Sequence, residues 1–405
     1  MRVTTAFNRL LRLPGASVAG VVFGGEGVVV RVRLRRRRSA CSACGQLAPI
    51  HDRSTRRWRH LDLGSQRCLV EAEIRRVRCP DCGVRVEAVS FARPRARHTR
   101  DLEDVVAFLA QQTNKTTVAQ LLRIDWETVG RIIERVVADH LDEERLRGLV
   151  MIGVDEVSWR RRWRYLTVVC DHRSGGVVWV REGRSAASLQ GFFACLGEAR
   201  HSIRAVSIDM SSGYEKAVRE ALPAAQVCFD PFHVTRLAAD AVEKVRRAEW
   251  NAKGKSKTRG GRWVKGTRWA LLKAPANRSE KQDLLLAEVE RANRRLYRAF
   301  LLKEELRALY HDVPRHKAAE HLDAWLAWAS RSKLRPFVKL ARTIREHRDG
   351  ILAAVRLGLS NGRLEGLNSK VRLISHRSFG FHSAAALIAL VYLCCGGIEI
   401  DLPFS

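Results

Sequence analysis

The stretch Leu149 to Asp171, LVMIGVDEVSWRRRWRYLTVVCD, constrains the fold more than any other part of the chain. Val150 to Val154 is an apolar run that reads as a buried strand delivering Asp155 at its end. An arginine-tryptophan turn follows, Trp159 to Trp163, and Tyr165 to Cys170 returns as a second strand. Two apolar strands in a hairpin require a sheet covered on both faces. An ionised Asp155 beside such a sheet is costly unless positive charge meets it.

The α/β pattern continues from there. Gly176 to Val180 reads as a third strand, and Ser185 to Leu196 as a helix with Leu189, Phe192, Phe193 and Leu196 inward. Ile203 to Ile208 is a fourth strand ending at Asp209, Tyr214 to Leu222 a helix, and Gln226 to Phe229 a fifth strand ending at Asp230. Three antiparallel-type strands, helix, strand, helix, strand is the order of a ribonuclease H-like sheet. Its first and fourth strands are neighbours, so Asp155 and Asp209 are expected side by side. Residues 231–358 leave this regime for basic helices, among them Leu285 to Leu309 and Ala318 to Arg331. Lys253 to Arg262 carries five cations and reads as a mobile loop, flanked by Trp250, Trp263 and Trp269, which could be stacking platforms or clamps on DNA but read first as core.

A polar stripe then returns. Ser360 can cap a helix in which Leu364, Leu367, Val371 and Ile374 share one face. Asn361, Glu365, Asn368 and Arg372 share the other. One side packs; the other presents a carboxylate flanked by amides and a cation. Asp155, Asp209 and Glu365 can meet at one end of the sheet. Three such acids repel and raise one another's pKa unless divalent cations lie among them. Oxygen-only ligands fit Mg2+ or Mn2+. Two ions could activate a water or a 3′-hydroxyl and stabilise the leaving oxygen, the chemistry of phosphodiester hydrolysis and strand transfer.

The charge balance supplies the partner. With 73 Lys and Arg against 43 Asp and Glu, the formal charge is +30, which points to nucleic acid. No run of about 18 apolar residues suggests a membrane span, and no signal peptide is apparent. The ten cysteines are then expected reduced, and paired CxxC motifs suggest metal. Cys41, Cys44, Cys79 and Cys82 form two knuckles of a closed, structural zinc site, with Arg67 to Val77 a ribbon strand between them. His51 or His60 could replace a ligand; Cys68 is expected in the core.

Residues 1–30 read as short strands and turns. Arg35, Arg36, Arg37 and Arg38 close an arginine run expected to contact phosphate, as are Arg56 and Arg57, with Trp58 interleaved. Arg93 to Arg97 reads as a linker. Leu102, Val105, Val106 and Leu109 then form a helical stripe. Thr116 to Arg123, a turn capped by Asp125, and Trp126 to Arg135 make a helix-turn-helix. Thr128 and Arg131 are its groove-facing candidates, and Val118, Leu121, Val129 and Ile132 its core.

The motifs IGVDEV at 152–157, SIDMS at 207–211, DPFHV at 230–234 and SNGRLEGLNSK at 360–370 resemble the ISL-three family of bacterial insertion-sequence transposases. Arg372-Leu-Ile and Phe379-Gly-Phe381 extend the last motif. The likeness covers nearly the whole chain. It implies a DDE core with Asp155, Asp209 and Glu365 as metal ligands, and a helical insertion between the second and third acids. It also implies that Asp230 and His233 lie near the active site. Asn361, Asn368 and Arg372 are further accessory candidates. Arg123 departs from the family, where a small residue is typical of the turn.

The expected architecture is multidomain α/β. A zinc-binding module (1–92) and a helix-turn-helix (93–146) precede a ribonuclease H-like core (147–230 and 359–405) interrupted by helices (231–358). The expected partner is double-stranded DNA, as transposon ends and target, bound by a dimer or higher assembly in the bacterial cytoplasm, at the nucleoid. Two rivals are a domesticated, inactive DNA-binding regulator and a structure-specific nuclease on the same fold. The intact acid set argues against the first, and the modules suited to defined ends against the second.

Overall fold

The computed structural model describes the chain except residues 1, 36–38, 142, 161–163, 211, 360–361, 379–380, 382 and 405, and except the side chains of 212 and 363–365. Two compact units emerge, Met1–Asp142 with Leu373–Ser405, and Glu143–Arg372.

The first unit opens with helix α1 (Val3–Leu11), where the sequence suggested strands and turns. Strands β1 (Ala16–Gly24), β2 (Gly27–Leu34), β3 (Ile50–Leu63), β4 (Gln66–Cys79) and β5 (Gly83–Val86) follow. Their sheet has the order β1-β2-β4-β3, with β5 pairing β4. Trp58 is buried against Phe91, ring centroids 5.1 Å apart, so it is core and not the exposed aromatic expected. Cys68 is buried in the same cluster, as expected.

Helices α2 (Arg100–Gln112), α3 (Lys115–Leu122) and α4 (Trp126–His140) complete the N-terminal part. Thr99 and Asn114 cap α2 and α3 through side-chain oxygens, whereas Asp125 at the start of α4 makes no such bond. Val118, Val129 and Ile132 are fully buried; Leu121 is 62% exposed and lies outside the core. Arg123 closes α3 in the left-handed conformation, φ 53°, which favours a small residue. Its guanidinium pairs with Asp62 and donates to the Ser65 carbonyl at 3.0 Å, tying the turn to the β3–β4 hairpin.

In the second unit β6 (Met151–Arg160) and β7 (Arg164–Asp171) form the expected hairpin, with β8 (Val177–Glu182) next. Helix α5 (Ala186–Leu196), β9 (Ala205–Ile208), α6 (Ser212–Ala221) and β10 (Gln226–Phe229) follow in the order read from sequence. The sheet order is β10-β9-β6-β7-β8, with β6, β9 and β10 parallel. The first and fourth strands of the unit are therefore neighbours. β6 runs past Asp155, because only Met151 to Gly153 pair with β9 while the hairpin arm continues against β7.

The helices are α7 (Pro231–Ala252), α8 (Arg259–Gly266), α9 (Arg268–Leu272), α10 (Glu280–Ala292), α11 (Arg294–His311), α12 (Ala318–Arg331), α13 (Arg335–Glu346) and α14 (Arg348–Leu357). The segment expected as a mobile loop is a short 3-10 turn, Lys255–Lys257, running into α8, whose start Thr258 caps at 2.9 Å. Trp250 and Trp263 pack on the core; Trp269 is 54% exposed under Arg268. Gly350 lets α14 lie on β10, since a Cβ there would sit 2.5 Å from the Phe229 ring.

Helix α15 (Gly362–Arg377) spans the boundary between the units, and α16 (Ala384–Cys395) packs on α4 and α2. The segment 359–405, expected within the catalytic core, is thus divided at Arg372. Arg377 donates to the Ala110 carbonyl at 3.1 Å, and Gln111 to the Leu393 carbonyl at 2.9 Å. Among the described residues no helix is long and apolar enough to cross a membrane.

Candidate active site and metal centre

Parallel pairing decides where the acids fall. Ile208 pairs with Phe229, and Gly153 with Ser207. Asp209 and Asp230 are therefore the next residues on adjacent strands, and Asp155 lies just beyond its own last pair. Asp209 and Asp230 stand at the carboxyl ends of their strands, and Asp155 just past the part of β6 that pairs in parallel, the side where ligands of open α/β sheets bind.

Asp155 is half-buried, and its carboxylate is held from two sides. Oδ1 accepts the Glu156 N–H at 2.7 Å, and Oδ2 accepts Asn368 Nδ2 at 2.6 Å. Burial pushes its pKa up and Asp209 adds to this; the Glu156 N–H, Asn368 and His233 oppose it. Glu156 is also raised, first by burial and then by Asp209. His233 Nδ1 lies 3.1 Å from Asp230 Oδ2, and that bond chiefly raises the imidazole pKa, with Asp155 and Asp209 adding to the shift. Acids that raise one another and a histidine drawn toward its charged form describe a strongly negative pocket.

Helix α15 reaches this pocket because its faces differ. Leu367 and Val371 are buried, each side chain contributing roughly 1.5–3 kcal/mol. Asn368, also buried, faces Asp155 instead. Its Oδ1 is buried without a hydrogen-bond partner among the described residues. An orphaned amide oxygen beside carboxylates is a donor set suited to a hard divalent cation. Glu365 lies on the same helix, but its side chain is outside the described residues, as is Asn361 altogether. Arg372 is exposed further along the helix.

The sequence reading missed two neighbours. Glu156 follows Asp155 on β6; its alternating position in a strand gave no sign that it would feel Asp209. Tyr310 on α11 lines a cavity of about 650 Å3 with Asp230, Phe232, Thr235 and Arg315, and its hydroxyl is buried without a partner among the described residues. Nothing in the helical periodicity of α11 distinguished it from core.

In the first unit Cys41, Cys44, Cys79 and Cys82 bring their sulfurs within 4.8 Å of one another. Gly45 and Gly83 follow the second cysteine of each knuckle at φ 76° and 72°, a turn that side chains rarely adopt. The Ala43 and Cys44 N–H groups lower the Cys41 thiol to about 7, whereas Cys44 and burial push Cys82 up to about 12. Four sulfurs cannot all ionise so close together without a cation, and tetrahedral thiolate is the preferred donor set of structural zinc. His60 bonds Thr99 at 2.8 Å and His51 lies by Arg78, so neither joins the cluster.

The expected DNA contacts are scattered over the first unit. Arg35 is exposed, whereas Arg36, Arg37 and Arg38 lie outside the described residues. Arg56 donates to the Ala96 carbonyl at 2.9 Å, and Arg57 pairs with Glu71 at 2.7 Å and Glu26 at 3.1 Å. Thr128 and Arg131 stand in the first turns of α4, Arg131 exposed.

Comparison with known proteins agrees with this anatomy. Residues 152–391 match a transposase family model, DDE_Tnp_ISL3. Residues 87–137 match the helix-turn-helix domain of transposase family ISL3, and 37–82 the zinc-finger of transposase IS204/IS1001/IS1096/IS1165. The transposase for insertion sequence element IS1557 of Mycobacterium tuberculosis, strains CDC 1551 and H37Rv, is 41% identical over 94% of this chain and 91% of its own length. The transposase for insertion sequence element IS1001 of Bordetella parapertussis is 28% identical over 84% and 85%. The Drosophila P element transposase strand transfer complex is similar at a TM-score of 0.41 and 11% identity, over 74% of this chain and 92% of that one.

Proposed function

Because the chain belongs to the ISL3 family of transposases, we propose that it cuts and joins DNA at the terminal inverted repeats of a bacterial insertion sequence, with Asp155, Asp209 and Glu365 as its catalytic acids. The sheet order and parallel β6, β9 and β10 support a ribonuclease H-like core, with residues 231–358 inserted between the second and third acids. One observation carries the reading: the 2.6 Å bond from Asn368 to Asp155, which draws the helix bearing Glu365 to the strand end beside Asp209. Asp155, Asp209, Glu365 and the Asn368 amide oxygen would hold divalent cations, Mg2+ or Mn2+. Two such ions, when bound, supply an activated water or 3′-hydroxyl and stabilise the leaving oxygen. Asn368 orients the Asp155 carboxylate and favours its charged form against the upward push of burial. His233, held by Asp230, offers positive charge to a DNA phosphate. The zinc ribbon and helix-turn-helix bind double-stranded DNA, most contacts falling on phosphates and the base reading on α4. Two ends must be joined, so the DNA complex contains at least a dimer, working at the nucleoid in the cytoplasm.

The test is excision in cells of a marker flanked by the DNA bordering the gene, with joining assayed on purified protein. Wild type should excise and join a 3′-hydroxyl; Glu365→Gln and Asp155→Asn should do neither yet still bind ends. Asn368→Ala removes a hydrogen bond to a charged group worth about 1.5–3 kcal/mol, so cleavage should slow about 10- to 100-fold. Equal excision by wild type and Glu365→Gln would sink the assignment, and cleavage without joining would make the protein a nuclease.

A further inference from the structure

The segment 93–99, between the ribbon sheet and α2, is not a spacer. Arg93 and Ala96 are buried. The Arg59 N–H donates to the Arg97 carbonyl and the Thr99 N–H to the Arg59 carbonyl, both at 2.9 Å, while Arg59 and His98 form a parallel bridge. The arm is thus laid along β3. Arg95 and Arg97 project from it, exposed, and Arg95 holds the left-handed conformation at φ 61°, uncommon for a residue with a side chain.

These two arginines and His98 line a cleft of about 360 Å3 together with Asp125, Thr128, Arg131 and Arg135 of the α4 region. Arg135 is already paired with Glu103 at 2.8 Å. Arg95, Arg97 and Arg131 have no carboxylate in ion-pair reach among the described residues, although Asp125 lies in the cleft. Arg131 Nη2 is 3.4 Å from Thr128 Oγ1. His98 Nδ1 is buried without a partner among the described residues, and burial first, then Arg135, Arg59, Arg131 and Arg97, push its pKa down to about 4. The imidazole is neutral and the field around it positive. Three guanidinium forks without a carboxylate partner among the described residues repel one another around one polar cleft until an anion enters, and their planar donors match phosphate oxygens.

We propose that this cleft clamps one backbone phosphate of DNA between Arg95 and Arg97 of the arm and Arg131 and Thr128 of α4. The inference rests on the DNA-binding reading and deepens it: Arg131 grips the backbone instead of reading a base. A phosphate clamp fixes register and carries no sequence information.

The experiment uses full-length protein, fluorescence anisotropy, and two duplexes, a transposon end and its scrambled sequence, over a salt series. Arg95→Ala/Arg97→Ala should weaken both duplexes equally and reduce the slope of log K against log salt by about 0.9, the value for one phosphate. At 0.15 M salt that slope corresponds to about five-fold. Arg95→Lys/Arg97→Lys should keep most of the slope. A neutral methylphosphonate scanned along the end should cost wild type a similar factor at one position and cost the alanine variant nothing there. A wild-type slope in the alanine variant overturns the clamp. So does a loss confined to the end duplex, which would mean base reading, or the absence of any methylphosphonate position sensed by wild type alone. If wild type binds neither duplex, the DNA-binding reading falls with it, an outcome distinct from the others.

Discussion

Arg93→Met should destabilise the first unit far more than an ordinary arginine substitution. The Arg93 side chain is 1% exposed and meets Asp104 at 2.6 Å, Asp139 at 2.9 Å and Glu103 at 3.4 Å. Arg135 also contacts Glu103 and Arg100 also contacts Asp139, so three cations face three acids. Removing Arg93 leaves the group one charge short, around a Glu103 side chain that is 0% exposed. Breaking a buried pair by deleting one partner costs about 3–5 kcal/mol. For a unit of this size each kcal/mol moves the melting temperature by roughly 2–4 °C, so a fall on the order of 10 °C is expected. Calorimetry would measure it, and hydrogen exchange should speed in peptides from α2 and α4. Burial holds the Glu103 carboxyl above its usual range, so Glu103 is readily neutralised as pH falls. The deficit of the variant should therefore shrink toward acid pH. Arg93→Met/Glu103→Leu should recover part of the loss, because the stranded charge is gone. A drop of under about 2 °C with unchanged exchange would refute the argument, since it would place these contacts with exposed pairs worth about 0–1 kcal/mol.

Two further outcomes are expected. In the helical region the side-chain bond from Arg246, joined by Arg247 and Arg268, depresses the Glu243 pKa from 4.5 to about 2. Its contribution is present above 4.5 and is lost as pH falls from there toward 2; Glu243→Gln should flatten that part of the urea-midpoint profile, and an unaltered profile would contradict the pairing. Full-length protein should carry one zinc by elemental analysis, and chelation or Cys79→Ser should speed exchange in β4 and β5. Protein that purifies without zinc and is indifferent to chelator would remove the metal from the ribbon.

What the sequence could and could not reveal follows from the range of each interaction. Apolar runs and turn residues are local, so the strand order of the second unit, the hairpin at 151–171 and the two CxxC knuckles were legible. Of the polar stripe read on α15, Asn368 is buried and meets Asp155, a partner that local periodicity does not name. The misreadings concern what lies across from a residue. Trp58 looked like an aromatic among arginines on a nucleic-acid surface, but alternation along β3 turns it inward onto Phe91 while its neighbours turn out. Leu121 fits a helical stripe and is nevertheless exposed, because one short helix cannot announce which part of its face is covered. The segment 93–97 has the proline and charge of a linker. Its role is set by β3, Glu103 and Asp139, partners that no local pattern encodes. Arginine is the common thread. In a chain with this much positive charge, composition announces a polyanion but cannot say which guanidinium is already taken. Arg57 and Arg93 are engaged within the unit, while Arg95, Arg97 and Arg131 line one cleft with Asp125 and have no carboxylate in ion-pair reach among the described residues. Finding the DNA surface therefore depends on the carboxylates: the arginines they leave uncompensated mark where phosphate should bind.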